Sequence, residues 1–401
     1  MTEAVIVSTA RSPIGRAGKG SLVEVRPDDL AAAMVDAALN KVPDLDRNLV
    51  EDLMLGCGQP AGESGYNIAR VVSVLANMPD VPGVTVNRYC SSSLQTTRMA
   101  AHAIKAGEGD VFVSAGVETC SRFFTGGMAD GGPQNEKFDA AKAVTDERKE
   151  GQHSPWNEPE GLPDVYIEMG QTAENVAEFK QVSRERQDEY AALSQARAAN
   201  SIENGIFENE ITPYTLPDGS VMSVDDCPRP GTTAEKLAGL KPVFRPDGSV
   251  TAGNACPLND GAAAVVVMSD TKAKELGIKP LARIIASGVS GLNPEIMGLG
   301  PIDACKQAME RAGMSIGDID LVEINEAFAA QVIPSADELG VEWDKLNVLG
   351  GAIALGHPFG MTGARITGTL LNALTEHDKT IGMETMCVGG GQGMAMIFER
   401  L

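Results

Sequence analysis

The sequence predicts an α/β fold, in which helices cover sheets of buried strands. Short runs of Val, Ile and Ala alternate along the chain with segments of helical period. Aromatic residues make up only 4% of the 401 residues while glycine occurs 44 times, which favours close packing of helices on sheets. Hydrophobic residues reach 43%, enough to bury a large core. A third observation, an internal repeat, divides the predicted elements into two sets.

The predicted elements follow a regular order. Strands are predicted over residues 4–8, 52–57, 110–116 and 261–268, and helices over residues 27–40 and 92–106. The first helix carries acidic residues in its first turn, where the helix dipole favours negative charge. Residues 122–248 differ, because this stretch is rich in loops and charge and holds one long helical pattern over about 171–204. It is predicted to be an insertion rather than a separate domain.

The internal repeat relates the two ends of the chain. Residues 36–57 resemble residues 304–325, and each segment has the pattern of a helix, a turn and a strand. The helix at 92–106 and the strand at 110–116 have counterparts at 361–375 and 381–387. Both ends therefore predict a β-α-β-α-β order.

The charge balance excludes several classes of partner. Lys and Arg number 33 against 55 Asp and Glu, which gives a net charge of −22. Nucleic acids and anionic membrane surfaces attract proteins with a net positive charge, so neither is an expected partner of this chain. No apolar run approaches the ~18 residues that span a bilayer. The acidic start of the chain does not resemble a signal peptide, so a cytoplasmic location is expected.

Seven cysteines are spread along the chain without the C-x-x-C spacing of zinc sites. The pattern predicts reduced thiols, with no disulfide framework and no metal site. Two of these cysteines stand at predicted strand ends. Cys90 lies where a strand gives way to a helix, and the positive helix end is expected to lower its pKa. The alternative is a buried, inert cysteine.

Three further segments carry polar groups next to glycines or strand ends. His357 lies in a glycine-rich turn ahead of a helix, where it is suited to be the base that activates a cysteine. The alternative is that this turn is only a structural loop. Cys387 precedes a run of glycines, which suits an acid/base thiol beside an oxyanion hole; a phosphate loop is the rival. Asn325 ends a predicted strand, either to orient a water or oxyanion or to cap a helix.

Together these segments resemble the thiolase family of acyl-CoA:acetyl-CoA C-acyltransferases. The motifs that carry the resemblance are NRYCSS at 87–92, NEAF at 325–328, GGAIALGHP at 350–358 and CVGGG at 387–391. Further similarity runs from residues 10–15 through 169–175 and 250–254, so it covers essentially the whole chain. The departures are Ser93, Glu168, Cys256 and Leu349, of which Glu168 and Cys256 blur the assignment of acyl chain length.

The resemblance implies a fold and a division of the chain. The fold would be a thiolase fold, with two pseudo-symmetric βαβαβ halves in an α/β/α/β/α arrangement. Residues 1–122 and 249–272 would form the N-terminal half, residues 273–401 the C-terminal half, and residues 123–248 an inserted loop domain that binds CoA. The assembly would be a homodimer or homotetramer, with a hydratase/dehydrogenase subunit as a further candidate partner.

The resemblance also implies a role for each catalytic residue. Cys90 would be the nucleophile that becomes acylated, and His357 would activate it. His357 and a water held by Asn325 would form one oxyanion hole, and the backbone N–H groups of Cys90 and Gly389 a second. Cys387 would move the α-proton of the acetyl group. The reaction would cleave 3-ketoacyl-CoA with CoA, or condense acetyl-CoA in reverse, with no cofactor beyond CoA as substrate.

The substrate contacts implied by the resemblance lie mostly around the insertion. They are Arg229 for the adenine or phosphates, Met169 for the acyl pocket, Ser249, Ala252 and Cys256 for the pantetheine, and Phe328. Three alternatives remain: a short-chain biosynthetic thiolase, a β-ketoacyl synthase of the same fold, and an acyl-CoA or sterol-binding relative. Cys387 argues against the synthase, and the presence of all four catalytic residues argues against the binding protein.

Overall fold

The strands of the computed structural model, which describes residues 2–123, 132–151 and 155–401, form two similar sheets. The N-terminal strands are β1 (Ala4–Arg11), β2 (Gly15–Arg16), β3 (Asp52–Gly56), β4 (Gly83–Val86), β5 (Val111–Thr119) and, after a small β6 (Tyr214–Thr215) and β7 (Val221–Met222) hairpin, β8 (Asn259–Ser269). The C-terminal strands are β9 (Ala282–Gly291), β10 (Leu321–Ile324), β11 (Ile381–Val388) and β12 (Gln392–Arg400). The strands predicted over 4–8, 52–57, 110–116, 261–268 and 381–387 are all present, and all but the second are longer than the sequence indicates.

The helices of the described residues fall into the two halves and the insertion. The N-terminal half has α1 (Pro27–Asn40), α2 (Ile68–Leu75) and α3 (Ser92–Ala106), and the insertion has α4 (Asp139–Lys149), α5 (Met169–Phe179), α6 (Arg184–Glu203) and α7 (Ala234–Ala238). The remainder are α8 (Asp270–Glu275), α9 (Gly300–Ala312), α10 (Ala329–Leu339), α11 (Ala352–Leu355) and α12 (Thr362–Glu376). Helices α1 and α3 have the predicted bounds.

The prediction of one long helix over 171–204 is wrong, because the structure has two helices there, α5 and α6. Gln181 has a φ of 53°, a left-handed conformation that no α-helix accommodates. Two residues later the Ser183 side chain accepts a hydrogen bond from the Arg186 N–H and caps α6. The helical period continues on both sides of this break, so periodicity alone did not reveal it.

The two sheets have the same strand order, which confirms the predicted pseudo-symmetric halves. The N-terminal order is β4-β3-β5-β8-β1 and the C-terminal order is β10-β11-β12-β9, with a bridge between Val322 and Leu346 in the place of β4. The parallel registers also correspond, since Leu53 lies opposite Val113 and Leu321 opposite Gly382. Strands β1 and β9 join the sheets through a short antiparallel contact.

Helices α3 and α12 pack against each other between the two sheets. Helices α1 and α2 cover the outer face of the N-terminal sheet, while α9 and α10 cover the outer face of the C-terminal sheet. The layers therefore run α/β/α/β/α, as predicted. Within the described residues, no helix combines the length and the apolar character that crossing a membrane requires. The central helices begin where the strands end, and the candidate site lies there.

Candidate active site

A cavity of about 330 Å³ opens where strands and central helices meet. Cys90, Gly389 and Met169 all line it, so the structure brings together a predicted nucleophile, an oxyanion donor and an acyl-pocket residue. Much of the remaining wall is apolar and includes Val165, Ile167 and Phe359.

Cys90 is held in a strained turn between β4 and α3. The preceding residue, Tyr89, has a φ of 42°, which is uncommon for a bulky side chain. Burial raises the pKa of Cys90 to about 12, and this effect outweighs the nearby backbone N–H groups of Gly389 and Cys90, which favour the thiolate. The expectation of a lowered pKa is therefore wrong for the resting state.

His357 is fixed by hydrogen bonds on both ring nitrogens. Nδ1 lies 2.6 Å from Thr362 Oγ1, and that hydroxyl donates to the Pro358 carbonyl at 2.8 Å. The hydroxyl must therefore accept from Nδ1–H, which leaves Nε2 unprotonated as an acceptor. Burial lowers the pKa of His357 to about 3, and Arg365 adds to this effect. The resting imidazole is neutral, with its basic nitrogen available.

Gly356 is required for the position of His357. Its φ of 111° is open only to glycine, and a Cβ there would lie 2.7 Å from the Asn259 side chain. The Asn259 Oδ1 atom in turn accepts the His357 backbone N–H at 2.9 Å. The glycine-rich turn thus has a structural requirement and also presents the imidazole.

Asn325 contacts His357 directly, with 3.2 Å between Asn325 Nδ2 and His357 Nε2. The Asn325 carbonyl accepts from Gln331 Nε2 at 2.7 Å, which anchors the residue at the end of β10. The capping alternative is wrong, because the next helix, α10, begins at Ala329 and its N-cap is Phe328. The Asn325 amide is therefore positioned toward the imidazole and not toward a helix end.

Cys387 is fully buried at the end of β11, and the turn that follows contains Gly389. Burial raises the pKa of its thiol well above the ordinary value, and the Cys90 and Cys256 thiols raise it further. Cys387 also packs in one apolar cluster with Phe328 and, at its edge, Met169.

The residues predicted to contact CoA lie in separate places in the structure. Arg229 and Ala252 line one small cleft of about 30 Å³ beside α7. Cys256 is half-buried, and its N–H donates to the Ala327 carbonyl at 3.0 Å, next to Phe328. Ser249 is engaged within the protein, because its N–H lies 2.9 Å and its hydroxyl 3.2 Å from Glu174 Oε2.

Glu118, which the sequence analysis did not single out, lies behind the cavity. One carboxylate oxygen accepts the N–H groups of Gly58 at 2.7 Å and Gly360 at 2.9 Å, and the other accepts that of Gln59 at 3.1 Å. Gln59 and Phe359 line the cavity, so one carboxylate holds a loop from each half in place. The only signal in the sequence is a glutamate ending an otherwise buried strand.

We expect Glu118→Gln to lower kcat with little change in KM. The glutamine has one acceptor oxygen in place of two, so one of the three N–H groups loses its partner and the loops shift. Small misplacements of this kind cost about 10²-fold in rate at most. Steady-state kinetics would test this, with the exposed Glu275→Gln as the matched control.

The same variant should flatten the pH dependence of stability. Burial raises the pKa of Glu118 from 4.5 to about 7, so the folded chain keeps this proton to a higher pH than the unfolded chain. Stability contributed at this site is therefore present below 4.5 and is lost as the pH rises to about 7. The measurement is the free energy of unfolding in urea at pH 5 and at pH 8, for the wild type and for Glu118→Gln. If the pKa of Glu118 is not shifted, this free energy will change by the same amount between the two pH values in both proteins.

Comparisons with known proteins agree with this arrangement. A family model described as "Thiolase, N-terminal domain" matches residues 4–271, and one described as "Thiolase, C-terminal domain" matches residues 278–400. The chain is 42% identical over 412 residues to a 3-ketoacyl-CoA thiolase of Bacillus subtilis (strain 168), with 100% of both chains covered.

Two further proteins extend the comparison. A 3-oxoadipyl-CoA/3-oxo-5,6-dehydrosuberyl-CoA thiolase of Escherichia coli (strain K12) is 44% identical over 414 residues, with 100% of both chains covered. The dimeric peroxisomal thiolase of Saccharomyces cerevisiae superimposes with a TM-score of 0.88 at 36% identity, covering 100% of this chain and 97% of that one. The fold and these relatives define an acyltransferase built from two similar α/β halves. The chain belongs to the thiolase family.

Proposed function

We propose that the chain cleaves 3-ketoacyl-CoA with CoA, and runs the reverse condensation, through an acyl group on Cys90. The observation that carries this proposal is that Cys90, Gly389 and Met169 line one cavity, with the backbone N–H groups of Cys90 and Gly389 near the Cys90 sulfur. Donors in this position would also hold the oxyanion of an acyl group bound to that sulfur. The name of the Bacillus subtilis relative supports the same substrate class.

The first half of the reaction needs a nucleophile and its base. His357 Nε2 takes the Cys90 proton, and the sulfur attacks the keto carbon of the substrate. The bond between the α-carbon and the keto carbon breaks, and its electron pair forms the enolate of acetyl-CoA. Cys387 gives a proton to the α-carbon, which releases acetyl-CoA and leaves the shortened acyl group as a thioester on Cys90.

The second half returns the enzyme to its starting state. The thiol of CoA gives its proton to the Cys387 thiolate and attacks the thioester carbonyl, and Cys90 leaves as a thiolate that recovers its proton from His357. Neutral groups at rest suit this cycle, because a buried thiolate-imidazolium pair would be costly without the substrate. The Asn325 amide and His357 stabilise the enolate oxygen.

The remaining assignments also rest on the resemblance and the geometry. Residues 123–248 form the inserted loop domain, and Arg229, Ala252 and Cys256 guide CoA from its outer cleft toward Cys90, with Ser249 and Phe328 shaping the passage. The N-terminal half comprises 1–122 with 249–272 and the C-terminal half 273–401. The apolar cavity wall around Met169 favours an acyl chain and thus a degradative role.

Assembly and setting belong to the same proposal. The dimeric yeast structure supports a homodimer, to which the partly exposed edge strand β4 is suited. CoA is a substrate and no further cofactor is needed, since two thiols and an imidazole supply the nucleophile and the bases. We place the enzyme in the cytoplasm, where its seven free cysteines stay reduced. A hydratase/dehydrogenase partner remains a prediction.

The test is CoA-dependent cleavage of acetoacetyl-CoA and of a medium-chain 3-ketoacyl-CoA, followed by the loss of enolate absorbance. We expect both to be cleaved, and mass spectrometry of the enzyme quenched without CoA to find the shortened acyl group on the peptide that contains Cys90. Cleavage of acetoacetyl-CoA alone would overturn the degradative role. Failure with both substrates, or an acyl group on another residue, would overturn the proposal.

A further inference from the structure

Three cationic side chains and a histidine surround a second cavity, of about 300 Å³, between α3 and β9. Arg98, His102 and Lys105 extend from α3, and Arg311 extends from the end of α9. We call this group the cationic niche. It is separate from the catalytic cavity, since the two cavities share no lining residue.

The niche cations are turned toward backbone and hydroxyl groups. Arg98 Nε donates to Ser287 Oγ at 3.1 Å, Arg311 Nη1 to the Ser287 carbonyl at 2.6 Å and Lys105 Nζ to the Ile284 carbonyl at 3.3 Å. Among the described residues, Arg98, His102 and Arg311 make no ion pair, and Lys105 reaches only Glu3 at 3.8 Å.

The cations of the niche repel one another. Burial lowers the pKa of Arg98, and Arg311 and Arg88 lower it further. Burial also lowers the pKa of His102, with added effects from Arg98, Lys105 and Arg311. Such a cluster is unexpected in a chain of net charge −22, where carboxylates are abundant. Its like charges are stabilised when an anion lies among them.

The pseudo-symmetric position in the other half has its own carboxylate. There α12 packs against β1, and Glu210, which follows the turn Ile206–Asn209, lines the gap between them. Glu210 pairs with Arg11 at 3.2 Å and accepts from Thr369 Oγ1 at 2.8 Å. Asn372 on α12 also donates to the Ile206 carbonyl. One gap is thus neutralised from within the chain, and the cationic niche is not.

We propose that the cationic niche binds a small phosphate-bearing molecule with at least two negative charges. Two guanidinium groups present planar forks of donors that match phosphate oxygens. They approach from α3 and α9, while His102 and Lys105 are exposed at the mouth. A phosphate has acceptor oxygens on all sides, so it can accept hydrogen bonds from side chains of α3 and α9 at the same time. The bound anion would stabilise the packing of α3, which follows the turn that holds Cys90.

The test is thermal unfolding and calorimetric titration with inorganic phosphate and pyrophosphate, at an ionic strength held constant with sodium chloride. We expect both anions to raise Tm and to bind, with pyrophosphate the tighter. Arg98→Gln combined with Arg311→Gln should weaken binding about tenfold or more, because each lost charge-assisted hydrogen bond is worth about that factor. Lys274→Gln with Lys279→Gln, both exposed, gives the same change of charge elsewhere.

A second variant protects the test against misfolding. Arg311 also binds a strand carbonyl, so His102→Gln with Lys105→Gln, at the exposed mouth, should weaken binding in a chain that keeps its circular dichroism spectrum. No wild-type response beyond that to chloride would overturn the proposal, as would equal binding by the Arg98/Arg311 variant. Sedimentation tests the remaining possibility. If the Arg98/Arg311 variant dissociates an oligomer whose assembly phosphate does not affect, the niche binds a carboxylate of a second copy of the chain, and the proposal is wrong.

Discussion

Replacing Cys90 by alanine is expected to lower the rate of 3-ketoacyl-CoA cleavage by about 10⁴-fold or more. The variant lacks the sulfur that would carry the acyl group, while the oxyanion donors and the imidazole stay in place. Little packing is lost, because alanine removes one atom from a site at the cavity wall. The measurement is the loss of enolate absorbance of acetoacetyl-CoA on addition of CoA, with mass spectrometry of the quenched enzyme to detect the acyl group.

The control for this experiment is Cys305→Ala, which removes a buried thiol from α9 on the outer face of the C-terminal sheet. It should keep wild-type kinetics and lose only some stability. A Cys90→Ala enzyme that still cleaves within about tenfold of the wild-type rate would show direct transfer to CoA without a covalent step. Both variants are compared at matched CD spectra, so a difference in folding does not enter the comparison.

Replacing Cys387 by alanine is expected to separate proton transfer from acyl transfer. General acid-base catalysis contributes about 10² to 10⁴-fold, so overall cleavage should fall by that factor. Acylation of Cys90 by acetyl-CoA breaks no C–H bond, so exchange of labelled CoA into acetyl-CoA should slow but not stop, because the thiol of CoA can also lose its proton to water. Uptake of deuterium from D₂O into the acetyl methyl group should stop, because the base that removes the α-proton is absent.

The matched control is Cys256→Ala, the third thiol of the same cluster and half-buried. It should keep methyl deuteration, since no proton transfer is assigned to it. In the Cys387→Ala enzyme, methyl deuteration that continues at the wild-type rate would contradict the assignment of α-proton transfer to Cys387. Loss of deuteration in the Cys256→Ala enzyme would give the proton-transfer role to that thiol instead.

The fold could be predicted from the sequence where pattern and periodicity agree. Helix α3 ends at Gly107, with a φ of 78°, so a glycine stop signal gave its bound directly. The repeat gave the pseudo-symmetry, because the same order of elements requires the same strand order. The break at Gln181 was not predictable, since a non-glycine residue in left-handed conformation leaves no compositional signal. The layer order came from the resemblance and not from periodicity.

The site was predictable as a set of residues but not as an electrostatic environment. Position before a helix suggested a lowered pKa for Cys90, yet the structure buries the thiol, and desolvation outweighs two N–H donors. Ser249 was expected to face substrate, but Glu174 uses its hydrogen-bonding groups. Both differences depend on side chains distant in sequence. Glu118 was missed for the same reason, since its partners come from two separate loops.

The shared strand register of the two halves has a consequence for how the chain tolerates change. When residues 36–57 are aligned with 304–325, Cys57 corresponds to Asn325, and the matching registers make Glu118 the counterpart of Cys387 in the other half. In the N-terminal half this pair of positions holds loops in place, and in the C-terminal half it presents the reactive groups. The two halves share one scaffold but use it for different purposes. Substitutions at the first pair should change the positions of the catalytic groups, and substitutions at the second pair should change the reaction itself, so a search for new activities should begin in the C-terminal half.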